Sequence, residues 1–105
     1  MISVTHFRAH DAAFDERARS ALEALARCPG YLQGSVGRST DAVDNWVLVT
    51  QWQNVGSYRR ALGAFDVKLH ATPLLAEALD LPSSFETLIE VSAGGTGHVR
   101  ESDHG

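Results

Sequence analysis

The sequence predicts an α+β domain in which helices cover one face of a four-stranded antiparallel sheet. Three observations favour this class. The predicted elements follow the order strand, helix, strand, strand, helix, strand, which is the ferredoxin-like βαββαβ arrangement. The predicted strand Asn45–Trp52 is apolar on both faces, as a strand between two covering layers would be. A length of 105 residues allows one domain with a modest core.

The first half of the chain predicts a strand, a helix and a hairpin. Ile2–Arg8 alternates in polarity, with Ile2, Val4 and His6 on one side, which we take as the inward side. Asp11 is the predicted N-cap of the helix that follows. Tyr31–Ser39 and Asn45–Trp52 are then joined by a turn-rich segment and form the hairpin. The apolar stripe of the helix consists of Phe14, Ala18, Ala21, Leu22 and Leu25.

Glycines and a proline mark irregular points in the predicted elements. Gly34 and Gly37 lie inside a strand, where glycine indicates a bulge or a close approach of another group. A short helix is predicted to start near Asn54 or Ser57, and a second helical segment is interrupted at Pro73. Ser84–Val91 is the last predicted strand. We therefore assign the domain to residues 1–93 and a flexible tail, rich in Gly, Ser and charge, to residues 94–105.

The two central strands of this arrangement raise the question of what covers the second face of the sheet. Helices cover only one face, and the other would be an exposed apolar patch of a size that monomers rarely tolerate. The sequence therefore predicts a homodimer that packs through its sheet faces. The alternative is a monomer whose tail folds back over the sheet.

Composition and charge exclude several classes of function. A net charge of -4 argues against nucleic-acid binding, and no Gly-rich phosphate loop follows a strand. Cys28 is the only cysteine, so no internal disulfide or cysteine metal cluster is possible, and its place after a helix disfavours a reactive thiolate. No secretion signal or membrane span is evident from the sequence, so we expect a cytoplasmic protein without a membrane partner.

The run from Cys28 to Leu62 resembles the core of the antibiotic biosynthesis monooxygenase family. It contains a helix that ends in Pro-Gly, a glycine-containing hairpin, and a strand that ends in Trp before an aromatic-bearing helix. The resemblance covers residues 1–93 and implies a dimeric α/β barrel with a pocket between sheet and helices in each subunit. It leaves the reaction open, because the family includes cofactor-independent monooxygenases, haem-degrading enzymes and quinol oxidases.

The site residues of two branches of the family can be matched to particular positions of this sequence. In the polyketide-anthrone monooxygenases an Asn, a Trp and a Tyr contact the substrate; Trp52 and Tyr58 match the last two, whereas the Asn position is Leu48. In the haem-degrading branch the iron ligand matches His70, the Asn position is His6, and the Trp position falls on Ala61. Haem binding or breakdown through His70 therefore stays an alternative.

The leading hypothesis is a cofactor-independent monooxygenase that acts on a small hydrophobic aromatic molecule, such as a phenol, a quinol or a polyketide. His6 or His70 would remove a proton from the substrate, and the resulting anion would react with dioxygen. No metal site is expected, because no third ligand has suitable spacing. Alternatives are a non-catalytic dimer that binds a small molecule, and structural roles for the same residues in the core. The predicted pocket walls are Trp52, Tyr58, Phe65 and Leu48.

Overall fold

The structure, a computed structural model, describes residues 1–99 and confirms the α+β class. Four antiparallel strands form an open sheet in the order β2-β3-β1-β4, and this sheet does not close into a barrel. A second, two-stranded sheet pairs β5 with β6. The elements are β1 Ile2–Arg8, α1 Phe14–Ala26, β2 Tyr31–Arg38, β3 Asn45–Trp52, α2 Val55–Leu62, α3 Phe65–His70, α4 Thr72–Leu75, β4 Ser84–Phe85, β5 Ile89–Glu90 and β6 His98–Val99.

The central strands β1 and β3 divide their side chains between two faces. Ser3 pairs with Thr50, and both are buried on the face that the helices cover, which we call the helix-side face. Val4 pairs with Val49 on the opposite face, where both are half-buried. This second face, called the open face below, also carries Ile2, His6, Asn45, Val47 and Gln51.

Helix α1 packs its apolar stripe on the helix-side face. The Phe14 ring lies 5.4 Å from that of Phe7 and 5.0 Å from that of Trp46, measured between centroids. Burying such a ring contributes about 1.5–3 kcal/mol. The predicted cap is wrong: α1 begins after Ala13, with no side-chain cap. The Asp11 carboxylate instead lies 3.6 Å from the Arg17 guanidinium.

The helices after β3 begin and break where the sequence indicates. Asn54 caps α2, and its side-chain oxygen accepts a hydrogen bond of 2.8 Å from the backbone N–H of Ser57. Helices α3 and α4 are separated at Ala71, and Pro73 lies in the first turn of α4. A proline fits there because the first N–H groups of a helix have no partner within the helix.

The last predicted strand, Ser84–Val91, is interrupted in the structure. Only Ser84–Phe85 pairs with β1, because the preceding segment already occupies most of that edge. The N–H of Leu79 donates to the carbonyl of His6 at 2.8 Å, and the N–H of Val4 donates to the carbonyl of Ser83 at 2.7 Å.

The two short strands after β4 pair with each other. Strand β6 lies within the predicted tail and pairs with β5 rather than with the main sheet. Residues 100–105, including His104, lie outside the described residues, and the flexibility of the tail stays a prediction. Across residues 1–99, no helix has the length and apolar character needed to cross a membrane.

Gly34 in β2 is required by close contacts, and its replacement tests the packing of α1 on the sheet. A Cβ there would lie 2.7 Å from Leu22 Cδ1, 2.6 Å from the Tyr31 hydroxyl oxygen and 3.0 Å from the Val49 carbonyl oxygen. We expect Gly34→Ala to lower the free energy of unfolding in urea by about 1–3 kcal/mol.

Gly37→Ala is the matched control on the same strand, because its Cβ would meet Val47 Cγ2 at an ordinary 3.5 Å. It should change stability by less than about 0.5 kcal/mol. Equal stability of both variants and the parent would contradict the tight packing at Gly34.

Candidate functional site

An aromatic cluster lies on the helix-side face at the end of β3. Trp52 is fully buried, and its ring centroid lies 5.6 Å from that of Tyr58 and 5.4 Å from that of Tyr31. The Tyr31 ring meets Trp52 edge-on at 87°. Tyr58 is on α2, whose start is fixed by the Asn54 cap. The structure thus brings together the predicted pair Trp52 and Tyr58.

Buried hydroxyl groups hold this aromatic pair. The Trp52 indole N–H donates to Thr50 Oγ1 at 2.8 Å, and the Ser3 hydroxyl donates to the Tyr58 hydroxyl oxygen at 3.3 Å. Ser3 and Thr50 face each other across β1 and β3. Sequence reasoning missed both residues. The signal for Ser3 is that the side of β1 opposite Ile2 and Val4 carries small hydroxyl side chains, which suit a covered face only when they have partners.

A pocket of about 260 Å³ opens beside Tyr58, between α2 and β4. Met1, Val55 and Leu62 supply its apolar surface, and Arg59 and Glu86 also line it. This volume lies just below the range of about 300–1,000 Å³ that is usual for ligand sites.

Leu48 lies on the same face of β3 and is buried, with 3% of its surface exposed. It faces Thr5 across the strand pair. At the position where the anthrone monooxygenases carry an amide, this chain therefore has a core aliphatic residue. Leu48 lines none of the four pockets described for residues 1–99.

The two predicted catalytic histidines do not converge. His6 lies on the open face, because its neighbours Thr5 and Phe7 take the buried, helix-side positions of β1. His70 ends α3 and is exposed, because Val67 and Ala71, four residues apart, form the buried side of that segment. The sheet separates His6 from the helix layer that carries His70, and neither lies at the Tyr58 pocket.

Phe65 does not form a pocket wall or part of the core. It is the first residue of α3, and 78% of its surface is exposed. Phe65 is exposed because Val67 occupies the side of α3 that packs on the rest of the protein. Phe65 lines none of the four pockets described for residues 1–99, and its role at a substrate pocket stays a prediction.

The residues that match the haem-degrading branch do not form a haem site. His70 is exposed, Ala61 is buried with 3% of its surface exposed, and His6 lies across the sheet. An iron ligand needs an adjacent apolar cavity for the porphyrin, and His70 lines none of the described pockets. Among residues 1–99, no three His, Cys, Asp or Glu side chains form a candidate metal cluster.

Cys28 is a poor nucleophile in this setting. Its thiol contacts the Ala24 carbonyl oxygen at 3.6 Å at the end of α1. Burial raises the pKa of the Cys28 thiol; the Asp66 carboxylate raises it further and the Arg27 guanidinium opposes the rise. Burial also raises the pKa of the Tyr31 hydroxyl.

The fold agrees with the comparison to known proteins. The sequence model of the antibiotic biosynthesis monooxygenase family matches residues 1–68 of the 105-residue chain, well over half of its length. The chain therefore belongs to that family. No curated protein sequence matches it significantly.

Solved structures show the same fold. SnoaB, a cofactor-independent oxygenase from Streptomyces nogalater, is 28% identical with a TM-score of 0.65, over 74% of this chain and 82% of SnoaB. Rv0793 from Mycobacterium tuberculosis is 14% identical with a TM-score of 0.68, over 87% of this chain and 97% of that protein. A conserved protein from Methanosarcina mazei is 19% identical with a TM-score of 0.62, over 79% and 84% of the two chains.

The protection of Cys28 can be measured directly. We expect its thiol to react with an aromatic disulfide reagent at pH 8 at least about tenfold more slowly in the folded protein than in the urea-unfolded chain. The raised pKa lowers the thiolate fraction, and partial burial limits access. Cys28→Ser, which should give no reaction, provides the blank. Equal rates for the folded and unfolded chains would show that the fold does not protect the Cys28 thiol.

Proposed function

We propose that the protein is a cofactor-independent monooxygenase whose substrate is a small hydrophobic aromatic molecule bound at the Tyr58 pocket. The observation that carries the proposal is the buried pair Trp52 and Tyr58, of which Tyr58 lines that pocket and accepts a hydrogen bond from Ser3. Family membership supports a monooxygenase, and the 28% identity to SnoaB supports a reaction without a cofactor.

The proposed reaction needs no external electron donor. An anthrone or quinol-like substrate loses a proton and becomes an electron-rich anion, which transfers electrons to dioxygen. For a methylene group beside a carbonyl-bearing ring, one oxygen atom becomes the new carbonyl oxygen and the other leaves as water with the two hydrogens. The substrate therefore supplies every electron that dioxygen accepts.

The proposal gives this chemistry to Tyr58, because Tyr58 lines the pocket. Because the Tyr58 oxygen accepts from Ser3, its own hydrogen is available to donate to a substrate oxygen. Such a bond stabilises negative charge on the substrate oxygen more than it stabilises the neutral form. Trp52 lies behind Tyr58 as apolar packing, and its buried indole is held by Thr50. The proposal gives His6 and His70 no part at this pocket.

Oxygen uptake tests this function. With a panel of anthrones and quinols in chelator-treated buffer, we expect uptake by the parent. Removal of one donor to a developing oxyanion costs about 10²–10³ in rate at buried sites, so Tyr58→Phe should lower kcat at least about tenfold.

The controls are Phe65→Ala and His70→Gln, since both residues are exposed and outside the pocket. They should retain the parent rate. Uptake by the parent that Tyr58→Phe leaves unchanged would refute the role of Tyr58. Saturable binding with no uptake for any substrate would favour a non-catalytic binding protein.

We also propose that the protein is a homodimer that packs through the open face. Val4, Val47 and Val49 form an apolar centre on this face, flanked by Ile2. The β5–β6 hairpin does not fill it: Ile89 and Val91 are 66% and 61% exposed, and a gap of about 630 Å³ separates the hairpin from Ile2. A second copy would bury this surface.

A charge at the centre of the open face should dissociate the dimer. Val49→Asp places a carboxylate where two apolar surfaces would meet, so we expect a monomer by sedimentation velocity at a concentration where the parent is dimeric. Val43→Asp is the control, because Val43 is 69% exposed outside the sheet. Circular dichroism should show both variants folded. A monomeric parent would contradict the proposed dimer.

A further inference from the structure

The proposed reaction begins with the loss of a proton, and one side chain of the Tyr58 pocket can accept it. The polar side chains that line this pocket are Tyr58, Arg59, Ser84 and Glu86. A guanidinium group has no acceptor, a serine hydroxyl is a weak base, and Tyr58 is the donor to the substrate oxygen. Among the described residues that line the pocket, Glu86 is therefore the only one suited to be a general base.

The pairing of β4 with β1 places Glu86 on the same side of the sheet as Tyr58. Ser84 faces Ser3, which is buried on the helix-side face. In an extended chain, side chains two residues apart share a face, so Glu86 returns to the side of Ser84. The lining of the pocket agrees with this placement, because Glu86 and Tyr58 both contribute to it.

The same pairing indicates how far Glu86 lies from the Tyr58 hydroxyl group. The Ser3 hydroxyl lies 3.3 Å from the Tyr58 hydroxyl oxygen, and Ser84 is directly opposite Ser3. Glu86 is two residues beyond Ser84, which corresponds to about 7 Å between Cα atoms in an extended chain. One aromatic ring that carries an oxygen spans a separation of this size. A single ring can thus place its oxygen at Tyr58 and its opposite side at Glu86.

Helix α2 supplies the wall that faces Glu86. Val55, Tyr58, Arg59 and Leu62 follow helical spacing along one face of α2, and all four line the pocket. Val55 and Tyr58 are buried, whereas Arg59 is exposed. Glu86 is half-buried, so a bound substrate can reach its carboxylate and protons can still exchange with solvent.

We propose that Glu86 is the general base of the oxygenase, an inference that rests on the function proposed for the Tyr58 pocket. The substrate is a carbon acid in which a carbonyl group and a methylene group lie on opposite sides of one ring. The carbonyl oxygen accepts from Tyr58, and the methylene group faces Glu86. The Glu86 carboxylate removes one methylene proton, and the C–H electron pair moves through the ring onto the carbonyl oxygen to form an enolate.

The same carboxyl group serves the remaining steps. The enolate gives electrons to dioxygen one at a time, and a C–O bond forms to yield a peroxide anion, which takes the proton back from Glu86. Glu86 then removes the second C–H proton; that electron pair forms the new C=O bond, the O–O bond breaks, and hydroxide leaves. The hydroxide takes the proton from Glu86 and departs as water. One methylene group and one dioxygen molecule thus become one carbonyl group and one water molecule.

Proton removal by Glu86 can be measured without dioxygen. In anaerobic D₂O, the parent should exchange the methylene hydrogens of anthrone for deuterium faster than buffer alone, as followed by proton NMR. Glu86→Gln should lower the protein-dependent exchange rate about 100-fold or more, since general bases contribute about 10²–10⁴ in rate. Because glutamine has the size of glutamate, the affinity for anthrone should stay close to that of the parent.

Two further variants separate a base from a structural residue. Formate should restore exchange in Glu86→Ala but should not accelerate Glu86→Gln, because only the smaller side chain leaves room for a carboxylate. A purely structural role for Glu86 would not produce this rescue. Glu90→Gln is the matched control, because Glu90 lies on the β5–β6 hairpin and outside the Tyr58 pocket. It should exchange anthrone at the parent rate.

The outcomes distinguish this proposal from the proposed oxygenase. Exchange by the parent that depends on Glu86, without oxygen uptake, would support the base and refute the oxygenase. Oxygen uptake that Glu86→Gln leaves at the parent rate would refute the base and keep the oxygenase. A parent that does not accelerate exchange, or a Glu86→Ala variant that formate does not rescue, would also overturn the assignment of Glu86.

Discussion

The alternation of side chains along β1 and β3 is the constraint on which the rest of the structure depends. Each residue of a strand points to the face opposite its neighbours, so a single choice of face for Phe7 also decides the environment of His6 and Thr5. Once Phe7 packs against Phe14 of α1, Ser3 and Thr5 must lie in the core, and His6 must lie outside it. The absence of His6 from the Tyr58 pocket follows from this choice.

On the covered side of this division, the polar groups of the aromatic cluster are paired with one another. Ser3, Thr50 and the two aromatic polar groups at Trp52 and Tyr58 form two hydrogen bonds inside an otherwise apolar layer. The bond to Thr50 fixes the orientation of the indole, because rotation of the ring would move Nε1 away from its partner, and the bond from Ser3 fixes the position of the Tyr58 hydroxyl oxygen. Tyr58 is thus held at a defined position, where it lines the pocket between α2 and β4.

Much of the fold could be predicted from the sequence, whereas the side on which each candidate residue lies could not. The grouping of His6 with Ile2 and Val4 is correct, yet the choice of that side as the inward one is wrong. When both sides of a strand are apolar, the sequence does not indicate which side the helices cover. Ser3 and Thr5 also look like surface residues in the sequence, because their packing partners lie far away along the chain. The interruption of the last strand has a similar cause, since it depends on the hydrogen bonds that residues 79–83 make with β1.

Neighbouring residues of β3 consequently lie in different environments on the two faces of the sheet. Leu48 lies in the core with Thr5, whereas Val47 lies beside His6 on the open face. Leu48 therefore adds apolar packing to the helix-side layer, whereas His6 and Asn45 place polar groups on the open face.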